Sequence, residues 1–364
     1  MGTIDISKVD RNFAGEGIRY EGLKIYSARD RHFHIYGLYQ PYEGGGFKRM
    51  PSDAAAKMKG SIQELYTHTS GGRIRFCTDS ARIFLRAVLP QIVRFDHMPK
   101  TGSSYFDLYV DGVYWNVFRH GLLNGLEQKE LPPNAYDASL TLGGRKMREI
   151  LIHFPLYNPV DAVFIGLDED AQILPAAEYT YQKPVVFYGS SITQGGCASH
   201  AGNAYFNILS RRLDTDIVNL GFSSGCHGED AMAEYLSTLD MSALVYDYDH
   251  NAGSVEELKQ THERAFRIIR DKQPNLPVIM ISAADRMFGI PARKEIIRRT
   301  YQNAVDAGDK NVYFIDGGTI YAPVGRDLCT VDHIHPNDTG FLMMANAVEP
   351  VLRRILAENA PCAM

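Results

Sequence analysis

The spacing of apolar and polar residues divides the chain into two stretches with different periods. Up to about residue 178 the informative segments alternate: 71–89 (GGRIRFCTDSARIFLRAVL), 103–118 (SSYFDLYVDGVYWNVF) and 148–167 (REILIHFPLYNPVDAVFIGL). A period of two lays every second side chain on one face of a strand, and the Ile, Val, Phe and Tyr content suits a pleated, half-buried surface. Gly, Asp, Asn and Pro separate the segments. Asp111-Gly112, between Val110 and Val113, supplies the residues that tolerate the positive φ of a two-residue hairpin turn. Helical spacing is confined to a short stretch at 52–66. The pattern predicts an all-β sandwich, of jelly-roll type, over residues 1–178.

From residue 183 the grammar becomes apolar strand, loop, amphipathic helix, repeated. Strands are predicted at 184–189, 216–222, 243–249, 277–283 and 311–317, each largely apolar, as strands buried on both faces of a parallel sheet must be. Helices are predicted at 254–272, where Val255, Leu258, Ala265 and Ile268 share a face, at 291–308 and at 338–357. Alternating βα units imply an α/β fold with a doubly wound parallel sheet of five strands over residues 179–364. No repeat or low-complexity tract interrupts it.

The composition is that of an ordinary globular protein: 364 residues, 45% hydrophobic and 22% charged, with a formal net charge of −5. No basic run offers a footprint for a phosphate backbone, which excludes nucleic acid as a partner. No window approaches the ~20 apolar residues that span a bilayer, so no membrane partner is expected. The opening residues lack the cationic and apolar regions of an export signal. Cys77, Cys197, Cys226, Cys329 and Cys362 are widely spaced with no Cys-x-x-Cys pair, which points to free thiols, a cytoplasmic location and no structural zinc. Homo-oligomerisation stays open.

Ligands bind outside the carboxyl ends of the strands of an open parallel sheet, and four loops there carry unusual polar residues. They are Gly189-Ser190-Ser191-Ile192-Thr193, Asn219-Leu220-Gly221-Phe222-Ser223-Ser224-Gly225, Asp247-Tyr248-Asp249-His250-Asn251, and Asp332-His333-Ile334-His335-Pro336. Each alone is equally a turn or a helix cap. Together they hold the parts of acyl transfer. A serine hydroxyl (Ser191) needs a base to take its proton, and His335 can be that base, since imidazole as a chemical group titrates near neutral pH. A carboxylate three residues earlier, Asp332, can bond the other ring nitrogen and fix its tautomer. The tetrahedral oxyanion needs donors already aimed at it, available from the Ser191 N–H, an N–H of Ser224 or Gly225, and the Asn251 side-chain amide. No cofactor or metal is required.

These blocks resemble the SGNH (GDSL-type) hydrolase family, named for its Ser, Gly, Asn and His. Gly189-Ser190-Ser191-Ile192-Thr193 is similar to the family's Gly-Asp-Ser-Leu, with Ser190 where Asp is usual. Asn251 takes the Asn position, and Asp332-x-x-His335-Pro336 matches the closing Asp-x-x-His. Counting from Asn219, Ser224 stands where the family has glycine, with Gly225 one step later. Phe106-Asp107-Leu108-Tyr109 echoes the Gly-x-Asp-Leu-Tyr motif of a subgroup that carries a β-sandwich before the hydrolase domain. The resemblance implies a flavodoxin-like three-layer α/β/α domain, a Ser191–His335–Asp332 triad, and hydrolysis of a small acyl ester. That acyl group is expected to be acetyl, carried on an oligosaccharide or other small molecule. Lysophospholipid or short lipid esters, thioesters and acyl transfer are the alternatives on the same triad. The sandwich is expected to wall one side of the cleft.

Three rivals remain. Gly221-Phe222-Ser223-Ser224-Gly225 fits the Gly-x-Ser-x-Gly nucleophile elbow. The Asp332, His333, His335, Asp247, Asp249 and His250 set could bind a metal. A glycan-binding protein with a degenerate hydrolase domain could stack sugars on Trp115, although one Trp in an alternating strand is expected in the core.

Overall fold

The computed structural model describes residues 18–359 except 128, 132 and 285–289. The reading of the opening residues as lacking an export signal and that of Cys362 as a free thiol fall outside the described residues. Among its described residues the first half holds ten strands: β1 (Leu23–Ser27), β2 (His34–Tyr36), β3 (Arg73–Thr78), β4 (Arg82–Val88), β5 (Phe106–Val110), β6 (Val113–Phe118), β7 (Ala135–Thr141), β8 (Arg148–His153), β9 (Ala162–Asp168) and β10 (Ile173–Leu174). They form two antiparallel sheets, β1-β9-β4-β7 and β10-β3-β8-β5-β6, with β2 added along β3. Side chains from the facing pleats, among them Ile74, Phe76, Leu85, Leu108, Ile152 and Ile165, fill one core between them. The β5–β6 hairpin turns on Asp111 (φ 50°) and Gly112 (φ 77°), the two positive values that its Asp-Gly sequence predicts.

Two expectations for this half are corrected. The stretch at 52–66 is not one helix but two short ones, α1 (Ser52–Ala55) and α2 (Ile62–Leu65), because Gly60 adopts φ +61° between them. Trp115 is not in the core. It lies on the outer strand β6, where Val113 to Asn116 are all exposed, and its indole N–H donates to the Thr141 carbonyl (3.1 Å). A register shift opposite Leu108 and Tyr109 breaks the inward–outward alternation there.

A third small helix, α3 (Lys100–Ser103), precedes β5. The second half then runs β11 (Tyr181–Gly189), α4 (Ser191–Gln194), α5 (Tyr205–Leu213), β12 (Thr215–Gly221), α6 (Asp230–Ser237), β13 (Ala243–Asp247), α7 (Val255–Lys272), β14 (Val278–Ile281), α8 (Ile290–Asp306), β15 (Val312–Ile315) and α9 (Asp338–Glu358). All five strands are parallel, in the order β12-β11-β13-β14-β15. Alternate residues of each strand point to opposite layers. Val185, Phe187, Val245 and Ile279 pack with α5 and α9, whereas Val186, Tyr188, Leu244 and Met280 pack with α6, α7 and α8. The order reverses at β11, which places a switch-point crevice between β11 and β13, where doubly wound sheets take ligands.

The halves are packed into each other. Met50, Ala55, Met58 and Ile62 belong to the same buried cluster as Val186 and Tyr246, and Leu156 and Tyr157 join the opposite one. Buried Arg49 donates to the carbonyls of Gly221 (2.5 Å), Asn219 (3.2 Å) and Leu65 (2.7 Å), with its guanidinium over the Phe222 ring. Burial lowers the Arg49 guanidinium to about 9.

Candidate active site

β11 ends at Gly189, where any side chain would collide with the Thr193 hydroxyl and the Asp247 carbonyl, so only glycine lets the chain turn this tightly. Ser190 caps the next turn, its hydroxyl accepting from the Ile192 N–H (3.2 Å), and Gly195 closes it at φ +102°. Ser191 is therefore the first residue of α4, and its N–H has no acceptor within the helix. Its carbonyl accepts from the Tyr157 hydroxyl (3.0 Å), a contact from the first half.

Ser191 Oγ lies 2.8 Å from His335 Nε2. His335 Nδ1 lies 2.7 Å from Asp332 Oδ2, and Asp332 Oδ1 accepts from the backbone N–H groups of His335 (2.7 Å) and Ile334 (3.1 Å). Because a carboxylate only accepts, Nδ1 carries the proton, and Nε2 presents its lone pair to the serine. Burial opposes the charge on Asp332, but the hydrogen bonds from His335 and Ile334 outweigh it and hold the carboxyl below its ordinary range. The loop is pinned behind the histidine: Val331 N–H donates to the His335 carbonyl (2.9 Å), and Asn337 caps α9 by accepting from Gly340 N–H (3.1 Å). His333, at φ 68°, faces solvent.

In the second loop, Ser223 N–H donates to Gln194 Oε1 (2.9 Å) and Gly225 N–H to the Phe222 carbonyl (3.0 Å). Ser224 N–H makes no hydrogen bond among the described residues, which leaves it, rather than Gly225, as the free donor of the turn. Ser224 sits at φ +55°, a left-handed conformation that glycine adopts without strain. The loop is held from below by the Ser61 hydroxyl, which donates to the Ser223 carbonyl (2.5 Å), and from the side by His227 Nε2 against the Ser224 carbonyl (3.2 Å). Asn251 donates one amide hydrogen to the Phe222 carbonyl (2.9 Å) and keeps its second.

The rival groupings fare differently. No histidine hydrogen-bonds to Ser223 among the described residues, and His335 faces Ser191 instead. Asp247, Asp249 and His250 do gather within 4.8 Å, beneath the nucleophile turn. Asp249 Oδ2 accepts from Ala283 N–H (2.9 Å), and Asp247 takes bonds from Thr193 and Tyr205. Burial, with Asp249 beside it, raises the Asp247 carboxyl to about 8, so it is protonated at neutral pH. The enclosed cavity between Ile192, Ile334, Asp247 and Tyr321 measures about 10 Å³, space for about one water.

Several neighbours of the site carried no signal in the sequence. The loop at 91–99 of the sandwich half brings His97 to 5.2 Å (ring centroids) from His335 and Phe95 against Tyr157. Cys197, buried, lies near both histidines, and burial together with Asp332 pushes its thiol up to about 12. The sandwich half thus walls one side of the cleft.

A five-stranded parallel sheet with polar loops at its switch point, roofed by an antiparallel sandwich, is the architecture of an esterase-type hydrolase. Residues 182–353 match the model of the GDSL-like lipase/acylhydrolase family, and residues 23–173 match that of the N-terminus of SGNH-hydrolase-type esterases, the GxDLY model. The two matches fall on the two halves of the chain, one on the sandwich and one on the parallel-sheet domain of an esterase-type hydrolase. No curated protein matches the sequence. Among solved structures, it is similar to a protein described as a GDSL-like lipase from Bacteroides ovatus (26% identity, 92% of this chain and 98% of that one, TM-score 0.80). It shares its fold with a salicylyl-acyltransferase from a tetracycline biosynthetic pathway (18% identity, 94% and 100% covered, TM-score 0.73). It also shares it with a family two carbohydrate esterase from Cellvibrio japonicus (14% identity, 92% and 98% covered, TM-score 0.59).

Proposed function

We propose that this chain is a serine esterase that removes a short acyl group, acetyl, from a carbohydrate hydroxyl. The observation that carries the reading is the continuous line Ser191 Oγ–His335 Nε2–Asp332, at 2.8 and 2.7 Å, with the histidine tautomer fixed by its partners. His335 takes the Ser191 proton as the oxygen attacks the acyl carbonyl. The oxyanion is received by the Ser191 and Ser224 N–H groups and the free Asn251 amide hydrogen. His335 then protonates the leaving alcohol, and water repeats the sequence through the acyl-enzyme to release the acid. Asp332 stays ionised and orients the imidazole. No metal or cofactor enters these steps.

The work divides near residue 178: the described part of the sandwich half braces and walls the cleft, and the parallel-sheet domain that follows carries the chemistry. The carbohydrate alcohol draws support from the shared fold with a carbohydrate esterase. The four described cysteines are free, in keeping with a reducing cytoplasm in which imported acetylated sugars are the substrates.

The test is hydrolysis of p-nitrophenyl acetate, butyrate and octanoate by wild type and Ser191→Ala, followed by a screen of acetylated oligosaccharides. Preference for acetate, lost in the variant, is the expected result. Equal turnover of octanoate would replace the acetyl assignment with a lipase, and full activity in Ser191→Ala would remove the nucleophile.

A further inference from the structure

His97 and Cys197 take no part in the reaction above, yet both stand against its base. The Cys197 sulfur and one nitrogen each of His97 and His335 lie within 4.8 Å of one another. We propose that these three side chains form a site for a thiophilic divalent cation, such as Zn²⁺ or Cd²⁺. Its occupation switches the hydrolase off by taking the His335 lone pair that otherwise receives the Ser191 proton.

The donor set selects the metal. One sulfur and two imidazoles suit zinc and its softer relatives, and not magnesium or calcium. His335 is already oriented as a ligand: Asp332 holds its Nδ1–H, the carboxylate–histidine pairing that fixes ring and tautomer in metal sites, and Nε2, the nitrogen 2.8 Å from Ser191 Oγ, keeps the lone pair a metal would take. Bond lengths of about 2.0–2.3 Å require the three atoms to close up by roughly an ångström. His97 can supply that movement, because it is exposed on its loop and makes no hydrogen bond among the described residues. Three protein ligands leave a fourth position for water or for Ser191 Oγ.

Binding carries one proton out. Cys197–SH and M²⁺ give Cys197–S–M⁺ and H⁺, so the affinity rises with pH in the range where both imidazoles are neutral. Asp332 is the charged group facing the thiol, and it favours the cation once the proton has left. The inhibition depends on the proposed role of His335, whereas the metal site itself does not.

The test is a chelator-buffered Zn²⁺ titration of acetate-ester hydrolysis by wild type, His97→Ala and Cys197→Ser, each normalised to its own metal-free rate. Inhibition in the micromolar range, reversed by EDTA, absent with Mg²⁺ and weakened at least tenfold in either variant, is expected. Cd²⁺ is then titrated into the inactive Ser191→Ala protein and followed by thiolate-to-metal charge-transfer absorption. One equivalent should saturate the band, and adding Cys197→Ser should abolish it. The same inhibition constant in all three proteins, or no band, would overturn the site. A band accompanied by undiminished turnover would instead overturn the switch and the base role of His335 together.

Discussion

Replacing Asp107 by alanine should loosen the joint between the two halves. Asp107 lies on β5 with no exposure, and its carboxylate accepts three hydrogen bonds, each of 2.6 Å: from His153 Nδ1 on the neighbouring β8, from His200 Nδ1, and from Gly202 N–H. The last two donors belong to the segment between α4 and α5. Burial alone would raise the carboxyl, but the two histidines outweigh it and hold it well below the usual range. Alanine strands three donors, at about 1–3 kcal/mol each. Partial reorientation of the two rings keeps the expected loss in the lower half of that sum, about 3–5 kcal/mol. The damage should reach the site. Ser199, beside His200, gives its N–H (2.8 Å) and hydroxyl (2.5 Å) to Asp338, in the first turn of the helix that follows His335. Urea unfolding followed by fluorescence measures the loss, with ester hydrolysis of the folded fraction measured beside it. An Asp107→Ala unfolding free energy within about 1 kcal/mol of wild type would refute the reasoning.

Ser224→Gly should keep full activity and stabilise the turn by about 1 kcal/mol, because glycine bears φ +55° without strain and still supplies the N–H. A kcat for Ser224→Gly well below that of wild type would contradict this reading of the turn. Asn251→Ala should cost about 100-fold or more in kcat with little change in KM; a change confined to KM would contradict an oxyanion role. Stability should fall as pH drops from about 6.5 toward 4. Burial lowers His68 to about 3 and His153 and His262 to about 4, so in that window the unfolded chain binds three protons that the folded one refuses. Asp247, raised to about 8, opposes them with one proton held only in the folded state. The net of two protons gives a slope of about 2–3 kcal/mol per pH unit at its steepest, and a flat stability profile between pH 6.5 and 4.5 would contradict it.

The sheets were legible because their signals are local. Alternation marks β3, β4, β5, β8 and β9, and apolar runs mark the five parallel strands within a few residues of their ends. The hairpin at Asp111-Gly112 was equally plain, since its φ values follow from the two side chains. Helices α5 and α6, of nine and eight residues, stand out less because both are short, and α5 also carries polar residues that the tertiary packing buries, Asn207 and Ser210. Trp115 defied expectation because strand order, which no local pattern encodes, made β6 an outer strand. The four polar loops could be read as meeting at one sheet edge, and they do. What could not be read was contact across the halves: His97 reaching His335, Arg49 under the Gly221 turn, and Asp107 holding His200 and Gly202. These pairs lie far apart in sequence, and no spacing rule relates them. The choice between Ser224 and Gly225 likewise turned on a backbone angle and on which N–H groups were already engaged.

The central claim is that Ser191 is the nucleophile activated by His335. A fluorophosphonate probe followed by peptide mass spectrometry tests it most directly. The account predicts one adduct per chain, on Ser191, formed in parallel with loss of esterase activity and strongly slowed in His335→Ala. An adduct on Ser223, or complete inactivation with Ser191 unmodified, would contradict it.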